Sequence, residues 1–219
     1  MTGMVAETII VLGIAAAVQI LFSVIGGLIK LWGSQEMPET IQAEMSDTDQ
    51  AKIRDTQRLM ADCFGDNVTE RIRNASNKER IALMADFAER LAREYDLDIE
   101  VDVTVSNLQN CGAYNWKEKK AVFNIALLMV DGDHEQFAYC VRETLDTIIH
   151  ELRHAVQHKS IEQPGFWNVE DEVRNAWANN MASGNYIRPE VDMRAYAMQP
   201  IERDAVTFAA LVMKGVDEQ

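Results

Sequence analysis

The sequence is short of cysteine and of positive charge, and each shortage closes off a class of protein. Its three cysteines, Cys63, Cys111 and Cys140, are scattered, odd in number and form no Cys-x-x-Cys pair. Such spacing gives neither a disulfide framework nor a cysteine-built zinc site, and a reducing compartment fits it best. Lys and Arg number 21 against 35 Asp and Glu, for a net charge of −14. Grip on a phosphate backbone needs clustered basic side chains that release counterions, and no such cluster occurs. The expected partner is therefore a protein or peptide and not nucleic acid. Composition also argues against disorder, because 47% hydrophobic and 26% charged residues are ordinary for a globular chain. A length of 219 residues accommodates one large domain or two small ones.

Charge is missing altogether from one stretch. Residues 8–29, from Thr8 to Ile29, form a 22-residue run without an ionisable side chain. As a helix it would span about 33 Å, enough for a hydrocarbon core of about 30 Å, and Trp32 would follow it at the interface. A cleaved signal fits less well: no Lys or Arg precedes the run, it is too long, and no small-x-small site follows closely. Residues 1–32 are therefore expected to be a hydrophobic helix and membrane anchor. A buried hairpin or an oligomerisation helix is the competing reading, which Gln19 and the alanine cluster allow. Glu7 before the run and Lys30 after it lean towards a single-pass protein of the cell membrane with a cytoplasmic C-terminal domain. Residues 33–50, acidic and polar with Pro38, read as a linker, and residues 51–219 as the folded domain.

Within that domain the periodicities are mixed. Residues 48–64 have helical spacing through Ile53, Leu59, Met60 and Cys63 and stop at Gly65. Asn67-Val-Thr69 matches a glycosylation sequon, read as coincidence because no secretory signal accompanies it. Ser76-Asn-Lys-Glu79 is a capping box that opens a helix through Ile81, Met84, Phe87, Ala88, Leu91 and Tyr95. Ile99 to Val105 alternates as a half-buried strand does. Residues 112–116 and 121–125 flank the polar tetrad Lys117–Lys120 and predict a β-hairpin, with Tyr114 and Trp116 as sheet-packing aromatics. Helical spacing resumes over Phe137–Lys159, again over 168–182, and again from Pro200, where Ile201, Ala205, Phe208, Ala209 and Val212 share a face.

The chemistry concentrates in Thr147-Ile-Ile-His150-Glu151-Leu-Arg-His154-Ala-Val-Gln-His158, which holds three of the chain's four histidines. Residues four apart on a helix lie on one face, so His150 and His154 can direct both imidazoles at one divalent ion. Glu151 then lies beside that ion, where a carboxylate can take a proton from metal-bound water. The apolar side of this helix, Phe137, Cys140, Val141, Leu145, Ile148, Ile149, Leu152 and Val156, places the motif with its back in the core. Glu143, on the same stripe as the histidines, reads as a solvated residue. A catalytic zinc needs a third protein ligand. His158 does not supply it, because it rises about 6 Å beyond His154 and about 12 Å beyond His150, too far for one ion. It reads as an exposed histidine at the helix end.

A better candidate lies in Tyr196-Ala-Met-Gln-Pro200-Ile-Glu202-Arg-Asp204-Ala205, where Glu202 occupies the first turn of a second helix. With Phe208-Ala209 following, this segment and the His-Glu-x-x-His motif together resemble zincin metallopeptidases of the glutamate-ligand type, including ImmA/IrrE-like proteins of bacteria and mobile elements. The resemblance covers about residues 76–214. It implies an α+β zincin-like domain, a small β-sheet packed on an active-site helix. It also implies Zn2+ held by His150, His154 and Glu202, and an edge strand before the active-site helix, where Gly112, Tyr114 and Asn124 fit. Asp204 becomes an outer carboxylate or alternative ligand. The Glu-x-x-x-Asp spacing of the group is absent because residue 206 is Val. Tyr196 stabilises an oxyanion or anchors the loop.

The expectation is thus a membrane-tethered zinc metallopeptidase with Glu151 as base and Tyr196 beside it. Its peptide substrate would add to the sheet along Ala121, Val122, Phe123, Asn124 and Ile125. Two rivals stand against it: an interaction protein on a zincin scaffold without catalysis, and a membrane assembly protein with a structural zinc.

Overall fold

A computed structural model describes residues 45–106, 111–130 and 132–217. The proposed membrane segment 8–29 lies outside them, and among the described residues no helix is long and apolar enough to cross a membrane. The described chain is α+β, with seven α-helices around a three-stranded sheet. In order these are α1 (Asp47–Phe64), α2 (Val68–Arg73), α3 (Asn77–Glu94), β1 (Glu100–Thr104), β2 (Gly112–Asn115), β3 (Lys120–Asn124), α4 (His134–Glu162), α5 (Asp171–Met181), α6 (Met193–Ala197) and α7 (Pro200–Asp217).

Local chemistry sets most helix starts. The expected capping box opens α3: Ser76 Oγ accepts from Glu79 N, while Glu79 accepts from Ser76 N at 2.8 Å. Asn67, the sequon asparagine, caps α2 by accepting from Glu70 N at 2.9 Å. A second box, Ser46 with Asp49, opens α1 at Asp47, so the linker assigned to 33–50 ends before its last residues. Aspartate can fill the box position because its shorter carboxylate still reaches the Ser46 N–H at 3.2 Å. Asp133 caps α4, which runs three residues further at each end than Phe137–Lys159.

The hairpin forms as predicted, with β2 and β3 antiparallel and Ala113 opposite Val122. Its neighbour is less local. β1 lies parallel to β3, with Val101 beside Ala121, and the strand order is β1-β3-β2. Strand β3 is therefore central, not an edge. The placement of a substrate along Ala121–Ile125 is corrected by this order, since both hydrogen-bonding edges of β3 are already taken. The site-facing free edge belongs to β2.

The helices close over the sheet by burying one continuous core. Phe87, Leu91 and Tyr95 of α3, Phe123 of β3, Leu145, Ile148, Ile149 and Leu152 of α4, and Phe208 and Val212 of α7 are all buried. At about 25 cal/mol per Å2 of apolar surface, side chains of this size contribute roughly 1.5–3 kcal/mol each. One buried cation serves the backbone instead of a carboxylate. Arg80 donates to Ile72 O, Leu128 O and Arg73 O at 3.0, 2.6 and 2.9 Å, tying the end of α2 to the turn after β3.

Candidate metal centre

Helix α4 carries His150, Glu151 and His154, and the first turn of α7 carries Glu202. The apolar faces of both helices face one another, with Ala205, Phe208 and Ala209 wholly buried. Pro200 opens α7 with a backbone φ suited to a first helical position, and Glu202 follows in the first turn. His150, His154 and Glu202 converge, with one ligand atom of each within 4.8 Å of the others. The two Nε2 atoms are 3.0 Å apart, and Glu202 Oε2 lies 3.4 Å from that of His150 and 3.5 Å from that of His154.

These separations test whether a metal fits. Four-coordinate zinc with ligand bonds near 2.0–2.1 Å puts its donor atoms about 3.3 Å apart. Two of the three edges match closely and the third is slightly compressed. Glu202 Oε2 is buried and accepts no hydrogen bond from any described residue. A buried carboxylate oxygen without a partner costs several kcal/mol, on the order of the penalty for an unpaired charge, unless a cation meets it. The donor set therefore fits a zinc ion.

Electrostatics agrees with a site built for positive charge. Burial pushes the Glu202 carboxyl up, yet the His150 and His154 imidazoles, 3.4 and 3.5 Å from its Oε2, outweigh that and hold the group well below the usual carboxylate range. Burial opposes the charged form of His154, but Glu202, Glu151 and Gln157 overcome this and raise its pKa to about 9.

A neutral imidazole carries its proton on one ring nitrogen, and for His154 a contact on the side of the ring away from Glu202 selects which one. Its Nδ1 lies 2.8 Å from Gln157 Oε1. Gln157 Nε2 donates to Ile201 O at 2.9 Å and to Asp204 Oδ2 at 2.6 Å, which fixes the amide so that Oε1 accepts from the Nδ1–H. Asp204, expected as an outer carboxylate or alternative ligand, thus lies two contacts from His154, through Gln157. Arg153 in turn grips Asp204 with Nε and Nη2, at 2.8 and 2.9 Å, and reaches Asp49 Oδ1 with Nη1 at 2.6 Å. Asp49 also accepts from Trp167 Nε1 at 2.8 Å. Burial raises the Asp49 carboxyl, and Arg153 with the other donors brings it below its ordinary value. The first helix of the described chain is in this way tied to the histidine ligand through buried, paired charges.

Glu151 sits on the sheet side. One of its oxygens, Oε2, accepts from the backbone N–H of Tyr114 at 2.9 Å. That N–H is on the outer edge of β2: Asn124 N bonds to Cys111 O, and the alternation of an antiparallel ladder turns the Tyr114 groups away from β3. Gly112 permits the close approach. A Cβ there would come within 2.6 Å of Thr147 Cγ2 and 3.2 Å of Glu151 Cγ.

Other expectations need revision. His158 is not an exposed helix end but is buried, its ring 5.4 Å from that of Trp116 and 6.3 Å from that of Tyr114. Burial lowers its pKa. Glu143 is not solvated either. It is buried, accepts a hydrogen bond from the Tyr139 hydroxyl, and its pKa is pushed to about 7 by burial and by Asp146. Both fall on the polar stripe of α4, which β2 and its neighbouring loop cover. Tyr196 does lie close to Glu202, and burial together with that charge raises its pKa. A second tyrosine, Tyr186, joins it, with its hydroxyl donating to Glu202 Oε1 at 2.8 Å. Sequence reasoning missed it, because residues 182–192 have no periodicity and no recurrent motif points to Tyr186.

Comparison with protein-family models, with curated proteins and with solved structures finds no match for this chain.

Proposed function

We propose that the chain is a zinc-dependent metallopeptidase, with His150, His154 and Glu202 as ligands and Glu151 as general base. The observation that carries this reading is the orphaned Oε2 of Glu202 facing two Nε2 atoms, with a second carboxylate, Glu151, directly beside them. When bound, zinc supplies the Lewis acidity that polarises a carbonyl and makes water acidic enough to attack at neutral pH. Glu151 is held by the Tyr114 N–H through Oε2, which leaves Oε1 to take a proton from the attacking water and hand it to the departing amine. Three converging protein ligands favour catalysis over a structural role, because structural zinc is closed by four.

The substrate is an extended peptide lying along the outer edge of β2 beside Glu151, where the Gly112 backbone groups and the Tyr114 carbonyl turn away from β3 while the Tyr114 N–H stays with Glu151. Residues 8–29 tether this domain to a membrane, a reading that rests on their uncharged composition.

The test is hydrolysis of a fluorogenic peptide library by the full chain and by Glu151→Gln. The variant keeps its zinc and its fold and loses activity on the order of a hundredfold or more. Undiminished turnover in Glu151→Gln would overturn the assignment of the base.

A further inference from the structure

Glu202 offers two oxygens, and a carboxylate can bind a metal with one or with both. What decides between them is on the far side of the carboxylate. Tyr186 donates its hydroxyl to Oε1 at 2.8 Å, while Oε2 faces the histidines without a hydrogen bond. Tyr186 as a residue is 43% exposed, so burial alone does not hold its hydroxyl there. It is held by the loop. Gln199 is buried and clamps Ile187, the next residue: its Oε1 accepts from Ile187 N at 2.8 Å and its Nε2 donates to Ile187 O at 2.9 Å. Gln199 Oε1 also accepts from Asn180 at 2.9 Å, which fixes the clamp to α5. Gln199 directly precedes Pro200, so one residue ties the position of Tyr186 to the start of the helix that carries Glu202. Tyr196 supports the arrangement from behind, with its ring edge-on to Tyr186 at 6.3 Å.

We propose that Tyr186 is a positioning residue for the metal: by occupying Oε1 of Glu202 it leaves Oε2 as the single ligand atom of that carboxylate. The proposal rests on the zinc reading above. A donor to the outer oxygen has two consequences. It fixes the carboxylate's rotation, so the ligand is preorganised before metal arrives, and it keeps the second oxygen from claiming the coordination position that a substrate carbonyl or water needs. Gln199 is the residue through which the loop delivers that hydroxyl.

The experiment compares the full chain with Tyr186→Phe, which removes only the hydroxyl from a half-exposed ring. Zinc affinity is measured by competition with a chromophoric chelator, and the visible spectrum is recorded after loading with Co2+ as the probe. The wild type binds one metal per chain, and its cobalt spectrum has the intense absorption of a four-coordinate ion. Tyr186→Phe binds zinc about 10–100-fold more weakly. Its cobalt absorption also weakens as the freed Oε1 joins the metal, a change that a purely structural role would not produce. Equal affinity together with an unchanged cobalt spectrum would overturn the role of Tyr186 while leaving the metal centre standing. Failure of the wild type itself to bind zinc or Co2+ would overturn the centre and this inference with it.

Discussion

Gly112→Ala probes the contact that places Glu151. The glycine's φ is not in the left-handed region, so the substitution is not a test of backbone freedom. It is a test of space. The new Cβ would lie 2.6 Å from Thr147 Cγ2, 3.2 Å from Glu151 Cγ and 3.3 Å from Phe123 Cδ1. Thr147 is on the helix, and its hydroxyl donates to Glu143 O at 2.8 Å, so its methyl is not free to turn aside. Strand β2 must move away from α4, which costs about 2 kcal/mol by the usual range for overpacking. For a chain of this size that lowers Tm by about 4–8 °C. The same movement stretches the Tyr114 N–Glu151 bond, so peptide hydrolysis falls about tenfold with zinc retained. Adding Thr147→Ser removes the clashing methyl but keeps the hydroxyl, and should restore more than half of the lost stability. Thermal unfolding of the wild type, both single variants and the double variant reads this out. A Gly112→Ala chain as stable as the wild type, or one that Thr147→Ser does not rescue, would refute the packing described for β2 and α4.

Two further outcomes are expected. Glu143 has its pKa raised to about 7 from an ordinary 4.5, so between those values the folded chain holds a proton that the unfolded chain has released. Stability therefore falls as pH rises through that window, by on the order of 3 kcal/mol, and the cost is fully present above it. Glu143→Gln should accordingly stabilise the protein strongly at pH 8 and weakly at pH 5 in urea denaturation; an equal gain at both would be contrary to the assignment. For the membrane, the full chain should resist carbonate extraction, whereas a chain beginning at Met45 should remain in solution. Recovery of the full chain as a soluble species would remove the anchor from the account.

The parts of this protein that could be read from its sequence are those whose determinants lie close together along the chain, within one helix or across one tight hairpin. His150, Glu151 and His154 needed only helical spacing, whereas Glu202, on a different helix, was carried by the resemblance of the segment Tyr196–Ala205. The buried faces of α4 and α7 followed from helical spacing as well. Pairing at a distance was not legible. The parallel partnership of β1 with β3 depends on contacts 20 residues apart in sequence, as between Glu100 and Lys120, and nothing in either strand's alternation specifies it. The misreadings of His158 and Glu143 have one cause. An amphipathic pattern divides a helix into a buried side and a wet side, but α4 is covered on its polar stripe as well, so polar residues there were assigned to solvent. Asp49 was assigned to a linker although it pairs with Arg153, because its partner is 104 residues away. Tyr186 acts from a loop, where side-chain direction is set by the Gln199 clamp and not by any period.

The central claim is that one metal is held by His150, His154 and Glu202, and metal analysis of the purified full chain tests it most directly. The account predicts close to one zinc per chain in the wild type, little or none in His154→Ala or Glu202→Ala, and nearly full zinc in His158→Ala. The last variant loses the packing of an imidazole against Trp116 and Tyr114 and its contact with Glu162, and no contact to His150, His154 or Glu202. A wild-type chain without zinc, or zinc loss from His158→Ala equal to that from His154→Ala, would contradict it.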